Sequence, residues 1–356
     1  MSVPRSGFAV SLVLATIVAG CSSSSVSPSL ATSAPAPTML PSGVTGLVVG
    51  LGYIPSVQFA PFYLAQQAGY YARDGLSVTF QNQIDPNLIT LVGQGAIDVG
   101  VADGTSVVPA VSQGIPIKYL ATIYGTFPNI VFTKQSSGIS TAAGLKGKRI
   151  GTPGEYGSSW VMLQALLGSA NLTPSDVTVV PYPDFGQGTA LQQGQVDAAT
   201  GFTNNEPVQA QLAGTPVNVL HVDQVIALPG PGLIASTATL AAKREALVRF
   251  TNDTIRAMCQ IAADPLQGLD ASIAAVPDLG QDRATQQAIL QATIATWAPA
   301  NLGPNDTPDY GFVDPAGWTA SIRYMTQLGL VPRPVTAGDI LVDQQGLGVG
   351  GCGDEL

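Results

Sequence analysis

The fold of this chain is decided first by residues 46–71, GLVVGLGYIPSVQFAPFYLAQQAGYY. The apolar, β-branched start of this stretch predicts a strand over 46–51, and the apolar spacing after Pro61 predicts a helix over 61–71. Strand-like and helix-like runs then alternate as far as residue 221, which predicts an α/β fold with mostly parallel sheets. Further strands are predicted at 76–81, 99–102, 117–123, 130–133, 149–151, 177–181, 198–202 and 217–221. Further helices are predicted at 87–93, 106–113, 160–170, 186–193, 206–213, 241–263, 283–297 and 315–328.

One motif occurs twice, about a hundred residues apart. Residues 91–100 read LVGQGAIDVG and residues 191–199 read LQQGQVDAA, so each places a glycine turn and an Asp before a short strand. A polar cluster and a helix follow each strand: DGTS at 103–106 and NNE at 204–206. Common αβ turns can look alike by chance. The alternative interpretation is two lobes of like topology whose strand ends face each other across a ligand cleft, because ligands bind outside the carboxyl ends of such strands.

Composition and charge exclude several classes of protein. Apolar residues make up 46 % of the 356 residues, which is enough for full cores, and only 10 % are charged. The net charge is −9 and the sequence has no basic stripe, so we do not expect nucleic acid as a partner. Three cysteines and one histidine exclude a cysteine-rich zinc module and a multi-histidine metal site. We therefore expect no metal and no cofactor.

The first residues have the features of an export signal. Arg5 precedes an apolar run at 8–19 that is too short to span a bilayer, and Val18-Ala-Gly-Cys21 resembles the lipobox of bacterial lipoproteins. This resemblance implies a signal peptide at 1–20, lipidation of Cys21 and a Ser/Pro/Ala-rich tether at 21–45. The mature chain would have 356 − 20 = 336 residues and a net charge of −10 after loss of Arg5. We expect it on the extracytoplasmic face of the cell membrane, held by lipid; a plain signal peptide with a chance cysteine is the alternative.

Three further segments resemble one known family. They are GYIPSVQFAPFYLAQQAGYYARDGL at 52–76, LKGKRIG at 145–151 and GFTNNEP at 201–207. They resemble solute-binding proteins of bacterial ABC importers, in the branch for thiamine pyrimidine precursors, riboflavin, sulfonates, taurine and nitrate. The resemblance covers about residues 47–345. It implies a substrate-binding component that delivers a small molecule to a membrane permease subunit, and we expect a monomer.

The resemblance also implies a domain organisation. The fold would be a type II periplasmic-binding-protein clamshell, with a sheet flanked by helices in each lobe. Lobe one would comprise residues 46–128 and 234–345, and lobe two residues 129–233. Residues 346–356 would form a tail.

The candidate ligand contacts follow predicted strands or begin predicted helices. Aromatic side chains at a cleft edge can stack on a flat ring, and Ser, Asp, Asn and Glu can bond its edge. For Phe62 core packing is an equal alternative, and the polar residues at helix starts can be simple caps. The candidates are Tyr53, Phe59, Phe62, Asp103, Ser106, Tyr124, Glu155, Tyr156, Ser158, Ser159, Trp160, Asn204, Asn205 and Glu206.

The distribution of basic residues bears on the ligand. No Lys or Arg lies between Arg73 and Lys118, or from Ile150 to Leu240, so the candidate cleft segments contain no cation. Sulfonate and nitrate are therefore disfavoured, and a flat, neutral heteroaromatic such as riboflavin is favoured. A thiamine pyrimidine precursor is the second choice, because binders of that ligand tend to have Asp-Trp where this chain has Gly52-Tyr53.

The sequence gives little support for catalysis. His221 lies in an alternating strand pattern and is expected to be structural, and the residues around Ser158 do not form a G-x-S-x-G elbow. The self-consuming pyrimidine synthases among fungal relatives would need a donated histidine and a cysteine cluster, which this chain lacks. We expect no enzyme; an extracytoplasmic hydrolase using Ser158 and a purely structural envelope lipoprotein remain alternatives.

Two cysteines remain after Cys21. In an oxidising compartment Cys259 and Cys352 can form a disulfide that pins the tail to lobe one. The alternative is a buried Cys259 and a free Cys352.

Overall fold

The computed structural model describes residues 43–84, 87–226, 228–299, 309–343 and 352. The strands are β1 Thr45–Leu51, β2 Leu76–Asn82, β3 Val99–Ala102, β4 Ile117–Thr122, β5 Asn129–Lys134, β6 Arg149–Thr152, β7 Thr178–Pro181, β8 Ala198–Phe202, β9 Val217–His221 and β10 Gly232–Ser236. The helices are α1 Ala60–Gln67, α2 Tyr70–Arg73, α3 Asn87–Gly93, α4 Gly104–Gln113, α5 Gly157–Ser169, α6 Gln187–Gln192, α7 Glu206–Leu212, α8 Thr237–Ala263, α9 Pro265–Ala275, α10 Arg283–Trp297, α11 Pro315–Gln327 and α12 Ala337–Ile340. The signal segment, Cys21, most of the tether and the tail apart from Cys352 lie outside these residues.

The first sheet has the strand order β2-β1-β3-β10-β4. β1 is parallel to β2 and β3, whereas β10 is antiparallel to both of its neighbours. β10 is a strand that the sequence did not predict, because only five residues separate Pro231 from the helix that follows. It places Gly232 and Leu233 in the first sheet. The predicted lobe two, residues 129–233, had included both of them.

The second sheet repeats this arrangement with the order β7-β6-β8-β5-β9. Its β5 is antiparallel to β8 and β9 and takes the place that β10 has in the first sheet. β5 follows the passage of the chain from the first sheet to the second, and β10 follows its return. The predicted α/β architecture is confirmed, with two mixed sheets in which one strand of five is reversed. The exact lobe boundaries stay a prediction.

Each sheet is covered on both faces by apolar side chains. In the first sheet Val99 packs with the cluster around Phe250, while Ile234 packs with the cluster on the opposite face. In the second sheet Ile130 belongs to one cluster, and the next residue, Val131, belongs to the other. This alternation is the two-residue period of a strand, and it explains why these runs are almost entirely apolar.

Several helices differ from their predicted bounds. The predicted helix over 61–71 is two helices, α1 and α2, because Gly69 between them has φ 73°, in the left-handed region. α9 was not predicted. Among the described residues no helix has the length and apolar character needed to cross a membrane, and no group of His, Cys, Asp and Glu is placed to hold a metal ion.

The structure joins Cys259 of α8 to Cys352 by a disulfide, with their Cα atoms 5.6 Å apart. Cys259 is buried, and Cys352 packs against the same apolar cluster of the first sheet. The tail is therefore bonded to the first lobe at this point.

Candidate ligand-binding cleft

A cavity lies between the carboxyl ends of strands from both sheets. Loops after β1, β3, β6, β7 and β8 all contribute to it, as the topology requires for open α/β sheets. Its lining residues are Gly52, Tyr53, Gln58, Phe59, Ile84, Val101, Ala102, Asp103, Tyr124, Pro153, Tyr156, Gly157, Ser158, Ser159, Phe185, Gln187, Gly201, Phe202, Asn205, Glu206 and Pro231.

Aromatic rings form much of the cavity wall. Tyr53, from the connection after β1, meets Phe185, from the connection after β7, edge to face with ring centroids 5.0 Å apart. Phe59, Tyr124 and Phe202 add further rings to the lining. Such walls suit a flat ligand, because ring faces and edges pack favourably against a π system.

Asp103 presents a buried carboxyl group to the cavity from the first lobe. Its Oδ1 accepts hydrogen bonds from the backbone N–H of Thr105 (2.9 Å) and Ser106 (3.2 Å), and from the Thr105 hydroxyl. Asp103 thus caps α4, as its position before the helix predicted. Burial raises the pKa of Asp103, although these bonds and one with the side chain of Ser158, from the second lobe, act in the opposite direction.

The N-terminus of α5 faces the same cavity without a cap. Tyr156 stands at the N-cap position, and its side chain accepts no hydrogen bond from the first turn. Gly157 has φ 64° and lets the chain turn sharply into the helix. The backbone N–H groups at this end, together with the Ser159 hydroxyl, can donate to acceptor atoms of a ligand.

Asn205 and Glu206 line the cavity from the start of α7, as Ser158 and Ser159 do from the start of α5. Oε2 of Glu206 accepts the backbone N–H of Phe202 at 2.8 Å. Burial raises the pKa of Glu206 to about 7. Asn205 hydrogen-bonds to Tyr53 across the cleft and accepts from Gln209 at 2.8 Å.

Asn204 links the two lobes behind the cavity. Its Nδ2 donates to Gln58 Oε1 at 3.0 Å and to the Thr293 hydroxyl at 2.8 Å. Together with the Tyr53–Phe185 and Asp103–Ser158 contacts, these bonds join the lobes on several sides. The structure is therefore a closed conformation of the clamshell.

The described lining of the cavity has acidic and neutral polar groups but no cation. None of its described lining residues is Lys, Arg or His, and two of them, Asp103 and Glu206, are carboxylic acids. A sulfonate or nitrate would meet these carboxyl groups, and no positive side chain of the described lining would balance its charge.

Nine of the fourteen predicted contact residues line the cavity, and five do not. Phe62 lies in the core, stacked on Phe250, because it is on the inner face of α1. Ser106 lies behind Asp103, Glu155 is exposed, Trp160 packs against an apolar cluster, and Asn204 bridges the lobes. The nine lining residues are Tyr53, Phe59, Asp103, Tyr124, Tyr156, Ser158, Ser159, Asn205 and Glu206.

The sequence analysis missed Phe185, in the connection after β7, and Gln187, the first residue of α6. The loop after β7 lies at the carboxyl end of the strands of the second sheet. The loops after β6 and β8, which contain predicted contact residues, lie at the same end. Applying the same topological rule to every strand would have found both residues.

Comparisons with known proteins agree with this geometry. Residues 56–267 match the family described as NMT1/THI5 like. The chain is 32 % identical to the riboflavin-binding protein RibY of Chloroflexus aurantiacus, over 85 % of this chain and 86 % of RibY. It is 28 % identical to the 4-amino-5-hydroxymethyl-2-methylpyrimidine phosphate synthase of Aspergillus parasiticus, over 62 % of this chain and 68 % of the synthase.

Solved structures share the fold. The periplasmic aliphatic sulphonate binding protein SsuA of Escherichia coli superposes with a TM-score of 0.65 at 17 % identity, covering 83 % of this chain and 97 % of SsuA. The predicted type II periplasmic-binding-protein fold and the family resemblance are thus confirmed. The chain belongs to the NMT1/THI5-like family.

Proposed function

We propose that this chain is the substrate-binding component of an ABC importer and that its ligand is riboflavin. The observation that carries the proposal is a closed cleft with aromatic walls, polar groups at its edges and no basic residue among its described lining. The similarity to RibY over most of both chains supports the same ligand.

The groups of the cleft complement the parts of riboflavin. The isoalloxazine ring is flat and neutral, so it fits between rings such as Tyr53, Tyr156 and Phe202. Its carbonyl oxygens accept hydrogen bonds, which the free N–H groups at the start of α5 can donate. The ribityl hydroxyls can donate to the carboxyl groups of Asp103 and Glu206.

A thiamine pyrimidine precursor is the second candidate. Several relatives are synthases whose product is a pyrimidine phosphate, and the exocyclic amino group of such a ring can donate to a carboxylate like that of Glu206. Riboflavin is preferred because the similarity to RibY covers more of the chain and is higher.

We infer that the protein binds its ligand without chemical conversion. His221 is on β9 and is not among the residues of the cavity, and Cys259 and Cys352 are bonded to each other. Neither is placed to supply the donated histidine or the free thiols of a self-consuming synthase. Ser158 bonds with Asp103, and the only histidine of the sequence is absent from the lining that the structure describes.

We also propose that a lipid on Cys21 holds the protein at the extracytoplasmic face of the membrane, where the closed, loaded form docks on a permease subunit. The lipobox and the charge-free stretch between Arg5 and Arg73 support this location. Closure around a ligand gives the permease a shape that distinguishes the loaded protein from the empty one.

Calorimetry with three ligands tests the proposed function. We expect riboflavin to bind at one site with an affinity between micromolar and nanomolar, about −8 to −12 kcal/mol. Binding of the thiamine pyrimidine precursor alone would establish the second candidate. Binding of taurine alone would contradict the argument from the missing cations.

A further inference from the structure

Gln187 is a buried amide at the first position of α6, and it lines the cleft. Its Nε2 donates to the backbone carbonyl of Thr200 at 3.2 Å, whereas its Oε1 is buried and has no hydrogen-bond partner. Among the described residues, Gln187 alone combines a buried, unpartnered side-chain atom with a place in the cavity lining.

The orientation of this amide is fixed by its surroundings. Turning it over would set Oε1 against the Thr200 carbonyl, so that two acceptors would face each other. The backbone of β6 also lies close to this residue: a Cβ added at Gly151 would be 2.9 Å from Cβ of Gln187, so a larger residue there would displace Gln187. Oε1 is therefore a preset acceptor.

An unpaired buried acceptor is costly, and few partners can satisfy it. A buried polar group without a hydrogen bond destabilises the state that contains it, so the closed state is favoured when the occupant of the cleft brings a donor. Tyr53, Phe185 and Phe202, which line the same cavity, are aromatic, so we expect the donor to belong to the edge of a flat ring held among them.

We propose that Oε1 of Gln187 is a specificity-determining acceptor that recognises an N–H at the edge of a flat heterocyclic ligand. This inference rests on the proposed function. In oxidised isoalloxazine the only ring N–H lies between the two carbonyl groups of the pyrimidine-like edge. That edge would then point towards α6, and the two carbonyl oxygens beside the N–H would find donors elsewhere in the cleft.

The test compares two flavins and four proteins. 3-Methylriboflavin replaces the ring N–H by N–CH₃, and Gln187→Met removes the acceptor at nearly constant side-chain length. The wild-type protein should bind riboflavin about tenfold or more tightly than 3-methylriboflavin, and the preference should fall to about one in Gln187→Met and in Gln187→Ala. Gln193→Met, at the exposed end of the same helix, is the matched control and should keep the wild-type preference.

Lumiflavin keeps the ring N–H but lacks the ribityl chain. It therefore distinguishes a donor on the ring from a donor among the ribityl hydroxyls. It should lose affinity in Gln187→Met by the same factor as riboflavin. A loss for riboflavin alone would assign the acceptor to a ribityl hydroxyl and overturn the ring-edge proposal. An unchanged flavin preference in a folded Gln187→Met protein would also overturn it.

A failure of the proposed function has a different outcome. If the wild-type protein binds the thiamine pyrimidine precursor but not riboflavin, riboflavin import is refuted, and Gln187→Met is measured with the pyrimidine instead. Loss of pyrimidine affinity would then retain the acceptor role, and unchanged affinity would refute it. Absence of binding of either ligand would refute both proposals.

Discussion

Tyr53 and Phe185 meet across the cleft with their ring planes at 82°, one from each lobe. Phe185 has φ 62°, which is unusual for a residue other than glycine and costs of the order of 1–3 kcal/mol. Its backbone N–H donates to the Tyr182 carbonyl at 3.0 Å, which holds the strained turn. The fold thus maintains a strained residue where its ring closes the cavity, and backbone strain of this kind is concentrated at ligand sites.

Tyr53→Ala should weaken riboflavin binding by about 1–3 kcal/mol, roughly 5- to 150-fold, because ring contact and apolar burial are both lost. Tyr53→Phe keeps the ring and loses only the hydrogen bond to Asn205, so it should cost about tenfold or less. Phe312→Ala, which removes an exposed ring outside this cavity, is the control and should bind as wild type. Wild-type affinity in Tyr53→Ala, measured by calorimetry, would remove Tyr53 from the site.

Asn204→Ala should lower riboflavin affinity although Asn204 does not line the cavity. Its bonds to Gln58 and Thr293 join the lobes, so their loss reduces the fraction of closed protein and the apparent affinity with it. Thr293→Val removes one of the same bonds, so the double variant should show a coupling of about 0.5–3 kcal/mol in binding free energy. Strictly additive effects would show that these bonds do not control closure.

Glu206→Gln should change how stability depends on pH. The pKa of Glu206 is raised by burial from 4.5 to about 7, so the folded chain holds this proton more tightly than the unfolded chain. The resulting contribution to stability is complete below about pH 4.5 and is lost as pH rises through about 7. The Tm of wild type relative to Glu206→Gln should therefore fall between about pH 5 and about pH 8.

The exposed Glu155→Gln serves as the control for that experiment and should leave the pH profile of the Tm unchanged. A difference between wild type and Glu206→Gln that stays constant over the whole range would mean that Glu206 titrates like an exposed carboxyl group.

Cys259→Ser combined with Cys352→Ser should lower the Tm. The disulfide closes a loop over a sequence separation of 93, for which chain entropy gives about 4–5 kcal/mol at most. In Cys21→Ala protein that has been denatured but not reduced, thiol counting should find no free thiol. Two free thiols per chain would disprove the bond.

Cys21→Ala should release the protein from the membrane fraction into the medium or periplasm. Each buried CH₂ of a lipid chain contributes about 0.8 kcal/mol, so two long acyl chains anchor the protein firmly and their loss removes the anchor. Cys259→Ser, which leaves the lipobox intact, should stay with the membranes. An unchanged distribution of Cys21→Ala after fractionation would contradict lipidation at this residue.

The repeated sequence motif predicted the relation between the lobes correctly, and the structure gives the reason. Asp98 and Asp197 occupy the same place before β3 and β8, and Oδ2 of each accepts a backbone N–H, from Val48 and from Arg149, both at 2.9 Å. The backbone N–H of each Asp in turn donates to the carbonyl of that same residue, Val48 or Arg149. A glycine turn followed by Asp therefore marks one structural unit in both halves, which local pattern alone can reveal.

Other features depend on contacts that no local pattern encodes. Asn204 and Asn205 are identical neighbours in the sequence, yet one bridges the lobes and the other lines the cavity. Phe62 and Phe59 are three positions apart, and only the packing around α1 decides that Phe59 lines the cavity while Phe62 lies in the core. The reversed strand β10 is recognisable only through the partners that flank it in the sheet.

Titration of riboflavin fluorescence with the wild-type protein tests the central claim most directly. The ring should lie against Tyr53 or Tyr156, so we expect saturable quenching with one riboflavin per chain. The affinity should change little when salt shortens the Debye length from about 10 Å to about 3 Å, because no cation lines the described cleft. Fluorescence that stays unquenched at protein concentrations of about 100 μM, well above a micromolar Kd, would contradict riboflavin as the ligand.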